Sequence, residues 1–135
     1  MEGVSEGLAI QLAPFNIRVL LVEPSFFRTN WLRGSYATPA KEMTPDYIDG
    51  PIHKSLEAYP TKHGKQPGDP ERAARIVIDV ATEVGVGAED EVKKCFRLPL
   101  GNDAVDFGRA HLKKLTYDFD TTERLARTAD FEEHE

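Results

Sequence analysis

Apolar residues at the start of the chain recur at helical spacing. Val4, Leu8 and Leu12 fall four residues apart with Ala9 beside them, the period that gathers side chains on one face of a helix. The pattern is already running when the chain opens, with no capping residue ahead of it. Ala13-Pro14-Phe15-Asn16 stops it, since proline cannot continue a helix and biases the residue before it away from helical angles. Residues 17–22, IRVLLV, lose the helical period and become almost uniformly apolar. They predict a short strand covered on both faces. Residues 24–69 show weak periodicity, interrupted by Pro24, Pro39, Pro45, Pro51, Pro60 and Pro67, with one short helix expected over 51–59. A loop of this length in a compact domain is usually a lid or binding segment.

The next helix start is unambiguous. Asp69 is placed to cap, Pro70 occupies the first turn where its missing N–H costs nothing, and Glu71 suits the positive end of the dipole. Ala73, Val77, Val80 and Ala81 mark its buried face through about Glu83, and Gly85 and Gly87 are expected to end it. A charged stretch leads to a second short strand from Cys95 to Leu100, limited at its far end by Pro99. Gly101-Asn102-Asp103 opens a last long helix, with Val105, Gly108, Leu112, Leu115 and Phe119 along one face. The order helix, strand, long loop, helix, strand, helix indicates an α/β sheet. Two strands are too few for a self-sufficient parallel sheet, so the chain reads as part of one.

Charge and composition narrow the function. The net charge of −6, from 23 acidic against 17 basic side chains, leaves no basic patch for a phosphate polymer, so no nucleic-acid partner is expected. The single cysteine, Cys95, cannot form an internal disulfide and is expected as a buried small hydrophobe. No apolar run approaches the roughly 20 residues of a membrane helix, and the opening residues lack a secretory pattern. No membrane association and a cytoplasmic location are the expectation. His53, His63, His111 and His134 have no metal-ligand spacing.

Three segments together resemble a known family. EGVSEGLAIQLAPFNIRVLLVEPSFFRT over 2–29, QPGDPERAA over 66–74 and LPLGNDA over 98–104 are similar, in order and spacing, to the C-terminal half of short-chain dehydrogenases/reductases. The first resembles the end of the family's catalytic helix, its following core strand and a strand-end Pro-Gly-x-x-x-Thr. The second resembles a capped helix start, and the third the final strand and turn. The resemblance implies an α/β fold, the C-terminal portion of a Rossmann-type doubly wound parallel sheet, with about two strands and three to five helices. It casts residues 1–135 as a partial NAD(P)-binding domain, with 30–69 as substrate loop and 128–135 as a frayed acidic tail.

The resemblance also implies a site. Pro24, Ser25, Phe27 and Thr29 would face the cofactor, the Phe27 backbone and Thr29 hydroxyl meeting nicotinamide carboxamide and phosphates. Phe26, Trp31, Leu32 and Tyr36 would line the pocket for an alcohol or carbonyl substrate. The bland reading of the same stretch is a strand-end turn with Thr29 capping a short helix. Ser25 departs from the family's glycine and would strain the loop if that position required positive φ. The family's glycine-rich cofactor turn and Tyr-x-x-x-Lys are both absent. Gly3 to Ala9 imitates a glycine-rich turn but sits inside a helix with no strand before it, so Gly3 and Gly7 are expected to permit close helix packing. The chain is thus expected to be a fragment or truncated form of an NAD- or NADP-dependent oxidoreductase, inactive alone and binding no cofactor alone. The alternative is a non-catalytic module forming a homo-oligomer or pairing with a full-length relative.

Overall fold

The architecture, in a computed structural model that describes residues 2–33 and 43–131, is a two-stranded parallel sheet with helices on both of its faces. Helix α1 (Glu2–Leu12) ends in a 3₁₀ turn over Ala13–Phe15, and Asn16 adopts the left-handed conformation with its N–H donating to the Ala13 carbonyl. Asparagine tolerates that conformation better than most residues. Strand β1 is Leu21–Pro24 and strand β2 is Arg97–Leu100, paired in parallel with Leu21 opposite Arg97 and Pro24 opposite Leu100. Between them lie α2 (Pro51–Lys62), α3 (Pro70–Thr82) and the single turn α4 (Asp90–Lys93). Helix α5 (Asn102–Arg127) follows β2 and is 26 residues long.

Several boundaries differ from the sequence expectation, each for a physical reason. The strand expected over 17–22 forms only from Leu21, because a strand exists where it finds a partner and β2 supplies one only there. Arg18 lies outside the ladder, and its guanidinium donates to the Val80 carbonyl at 2.7 Å and pairs with Glu83 at 3.2 Å. That cation at the C-terminal end of α3 satisfies an open carbonyl and suits the helix dipole. Helix α3 therefore ends on Glu83, which takes a left-handed φ of 59°, two residues before the glycine expected to stop it. Ala81, expected on the buried face, is exposed, while Val80 is buried.

Pro99 lies within β2 rather than at its limit. Leu21 and Ser25 donate to the carbonyls of Phe96 and Leu100, so the backbone groups of Arg97 and Pro99 point to the sheet's outer edge. Proline costs nothing on that side of an edge strand. Cys95, expected to be buried, is exposed just before the strand. Gly3 and Gly7 have nothing within 4 Å of where a Cβ would stand, so they permit no close packing among the described residues.

The two faces of the sheet are chemically distinct. Arg97 binds Glu23 at 2.6 Å, Glu6 at 2.8 Å and Glu2 at 3.1 Å, joining α1 to both strands. Desolvation works against the guanidinium charge, but the hydrogen bonds of Glu6 and Glu23 and the nearby carboxylate charges outweigh it, so its pKa is raised. On the other face Val22 and Leu100 look toward Ala73 and Val77 of α3. Little of either face is sealed. Among the described residues the buried apolar ones are Leu32, Val80 and Leu100, while Ile10 is 76% and Phe119 73% exposed.

Two substitutions test the local account. Asp69 Oδ1 accepts from the Glu71 and Arg72 amides at 2.9 and 3.3 Å, so Asp69→Ala is expected to cost about 1 kcal/mol in urea denaturation. A Cβ at Gly87 would collide with the Asp79 carbonyl and the Val80 backbone. Gly87→Ala should therefore cost more than the cap, roughly 1–3 kcal/mol. Equal or smaller loss at Gly87 would show that the turn after α3 yields freely.

Candidate functional site

Because β1 and β2 run the same way, their carboxyl ends open side by side. Ser25 N–H donates to the Leu100 carbonyl at 2.9 Å, and a Cβ at Gly101 would stand 3.2 Å from that of Ser25. Gly101 has a φ of 91°, which glycine tolerates best, and it lets the chain turn directly into α5. The loop after β1 is pinned from above by the segment preceding α3. Arg28 N–H donates to the Gly68 carbonyl at 2.9 Å and Gly68 N–H to the Phe26 carbonyl at 3.0 Å, forming a parallel bridge about Phe27. The backbone groups of Phe27 itself point away from Gly68, and its carbonyl accepts from Thr29 N–H at 2.9 Å. The Arg28 guanidinium completes the clamp, donating through Nε and Nη2 to the Gln66 carbonyl at 3.1 and 3.0 Å.

This construction encloses a cleft of about 640 Å³ between the loop, the end of the sheet and the first turns of α3. Pro24, Ser25, Phe27 and Thr29 line it, as do Phe26, Trp31 and Leu32. Tyr36 lies outside the described residues. The opposite wall is Gln66, Pro70, Ala73, Ala74 and Val77. No charged side chain is among the described lining residues. Leu32 is buried, and Trp31 meets Tyr59 of α2 edge to face with ring centroids 6.2 Å apart. A second cavity of about 290 Å³ shares Phe26, Leu32 and Gln66 as walls and carries Lys62, Lys65 and Asp103.

The bland reading of Thr29 holds as far as it goes. Its Oγ1 accepts from Trp31 N–H at 3.3 Å, at the start of the 3₁₀ turn Asn30–Arg33. The hydroxyl proton is a donor still to be directed. Ser25 carries no strain, because it is not among the residues with positive φ; the loop reaches its shape without glycine there.

Gln66, Arg28 and the α3 wall were not among the residues predicted for the site. QPGDPERAA reads as a helix cap, which marks the start of α3 but carries no sign of where Gln66 is buried. The cap occupies Asp69, and the residues just before it were free to close over the strand-end loop.

No protein-family model matches the chain, and no solved structure matches it. Over 101 residues the chain is 30% identical to a Bacillus subtilis (strain 168) protein named uncharacterized oxidoreductase YusZ. The match covers 75% of this chain and 34% of that relative, so the chain matches about a third of the relative's length. No described helix is long and apolar enough to cross a membrane.

The clamp over the loop has a direct test. A Cβ at Gly68 would stand 2.6 Å from the Phe27 ring and 2.8 Å from the Phe26 carbonyl. Gly68→Ala is expected to cost roughly 1–3 kcal/mol and to shift the emission of Trp31, the only tryptophan. Ser25→Gly, by contrast, should lower stability by about 0.5–1 kcal/mol through unfolded-chain entropy alone. A gain in stability on Ser25→Gly would mean that the serine backbone is strained after all.

Proposed function

We propose that this chain is the nicotinamide- and substrate-facing portion of an NAD(P)-dependent oxidoreductase of the short-chain dehydrogenase/reductase type, acting on an alcohol/carbonyl pair and inactive alone. The observation that carries the reading is the cleft. The described residues expected to face cofactor and substrate line one cavity at the carboxyl end of a parallel strand, where α/β sheets bind ligands. The oxidoreductase relative agrees in class.

The lining residues fit one part of a nicotinamide dinucleotide. An uncharged cleft with aromatic and aliphatic walls and an outward-facing Phe27 backbone suits the flat nicotinamide end, whose carboxamide needs neutral hydrogen-bond partners. It does not suit the pyrophosphate, which needs a cradle of backbone amides or basic groups. When bound, such a cofactor supplies or accepts hydride. This chain's own residues hold and orient: Phe26, Trp31 and Leu32 offer apolar contact to the body of a substrate, and Thr29 offers its hydroxyl proton. No Tyr-x-x-x-Lys is present to move the accompanying proton.

A second reading rests on the surface. Among the described residues Val4, Ile10, Phe107, Leu112 and Phe119 are 63–76% exposed, and bare apolar surface of this kind marks interaction sites. It favours pairing, either with a full-length relative or with a second copy.

The two readings separate by experiment. The pure chain is expected to give no saturable NAD(P)H oxidation with any carbonyl compound, and turnover would overturn the proposal of inactivity alone. The mass of the natively expressed protein, with peptide mapping, decides the rest. A mass clearly above 15.1 kDa, with peptides containing a glycine-rich turn and Tyr-x-x-x-Lys, supports the enzyme. In that enzyme Thr29→Val is expected to weaken NAD(P)H binding about tenfold. A native mass of 15.1 kDa with concentration-dependent association supports the pairing module.

A further inference from the structure

Gln66 is 4% exposed, and among the described residues neither Nε2 nor Oε1 of its side chain has a hydrogen-bond partner. Such groups are rare in folded proteins, and each needs a reason. Its backbone supplies a contrast: the Gln66 carbonyl accepts two hydrogen bonds from Arg28, so the residue is held firmly while its amide is left uncommitted. Gln66 is also a wall of the large cleft, together with Phe26 and Leu32, and of the smaller cavity beside it.

We infer that Gln66 is the specificity-determining residue of this cleft, recognising a neutral, largely apolar alcohol or carbonyl compound through a second oxygen function on it. The inference rests on reading the cleft as the substrate site. A side-chain amide presents an NH₂ that donates and a carbonyl oxygen that accepts, and one ligand hydroxyl can answer both groups. The remaining walls are apolar or carry neutral hydroxyls, so a carboxylate placed there would meet a full desolvation cost with no cation to offset it. The charged side chains nearby, Lys62, Lys65 and Asp103, line the smaller cavity, which shares Phe26, Leu32 and Gln66 with the cleft; carboxylate binding tighter than the hydroxyketone would put the ligand there and overturn the inference. The substrate class is thus an apolar ring or chain carrying the reacting carbonyl at one end and a hydroxyl toward the other.

The experiment uses the full chain labelled with ¹⁵N and titrated with 4-hydroxycyclohexanone, cyclohexanone or cyclohexanecarboxylate. The Trp31 indole and Gln66 side-chain resonances are followed. The expected result is movement of both signals with the hydroxyketone, binding about tenfold tighter than cyclohexanone, a single hydrogen bond's worth. Carboxylate should bind weakest. Gln66→Leu should abolish the preference and leave cyclohexanone binding intact. Its melting temperature should rise, since an unpaired buried amide gives way to a packed side chain. Movement of Trp31 with no preference among the probes, and a silent Gln66 amide, overturns the inference while the cleft survives as a ligand site. Absence of any shift at Trp31 overturns both. A lowered melting temperature in Gln66→Leu shows the amide to be paired within the protein, which also overturns the inference.

Discussion

Four residue pairs, Leu21 to Pro24 against Arg97 to Leu100, hold together segments more than seventy residues apart in sequence. Everything that positions the cleft depends on this parallel ladder. A parallel pair cannot close through a tight turn and needs a long crossover; here the crossover carries α2, α3 and α4. Parallel direction also forces both carboxyl ends to one side. The strand-end loop after β1 and the glycine turn into α5 therefore emerge as neighbours, linked by the Ser25 amide and the Leu100 carbonyl. The segment before α3 returns over that same end and is fixed by the Gly68 bridge and the Arg28 guanidinium. Loss of the ladder would scatter all three.

The ladder's two edges are built alike. On β2 the outward backbone positions are Arg97 and Pro99, and on β1 they are Val22 and Pro24, so each edge carries one proline with no N–H to leave unmatched. An edge built that way resists further strand addition. Among the described residues neither edge has a further strand. Glu2, Glu6 and Glu23 gather on Arg97 across one face, which ties α1 to both strands.

Much of this was legible in the sequence, and the misses have a common cause. The Asp69-Pro70-Glu71 start of α3 is a local signal, and the side-chain cap forms as read. The breaks at Pro14 and Asn16 are local too. The strand-end stretch was identified by its resemblance to a family pattern, and its described residues do gather in one cleft. What could not be read was non-local. Residues 17–20 have the composition of a strand but no partner in the described chain, so composition alone overextended it. Helix α3 ends at Thr82, about where expected, but its αL cap is Glu83 rather than a glycine, and the ion pair of Glu83 with Arg18, far away in sequence, is a contact no local pattern carries. The helix faces of α1 and α5 have the right period, yet periodicity says which side is apolar and not what covers it. Gln66 was missed for the same reason: a lone polar residue before a cap carries no sign of where its side chain will be buried.

The cleft's chemistry then bears on the proposed function. Oxidation of an alcohol moves a hydride and a proton, and the two tasks need different groups. On that reading, holding a neutral substrate against a flat cofactor ring needs shape and apolar contact, which Phe26, Trp31, Leu32 and the α3 wall would supply. Moving the proton needs a group whose pKa can be brought near the working pH. The described lining of the large cleft offers only the hydroxyls of Ser25 and Thr29 and the Gln66 amide, none of which titrates near neutrality. Thr29 is moreover engaged with the Trp31 amide. On the proposed reading the described lining would orient an alcohol or ketone, yet it holds no group to take the proton. That proton would then need a group from beyond the described lining.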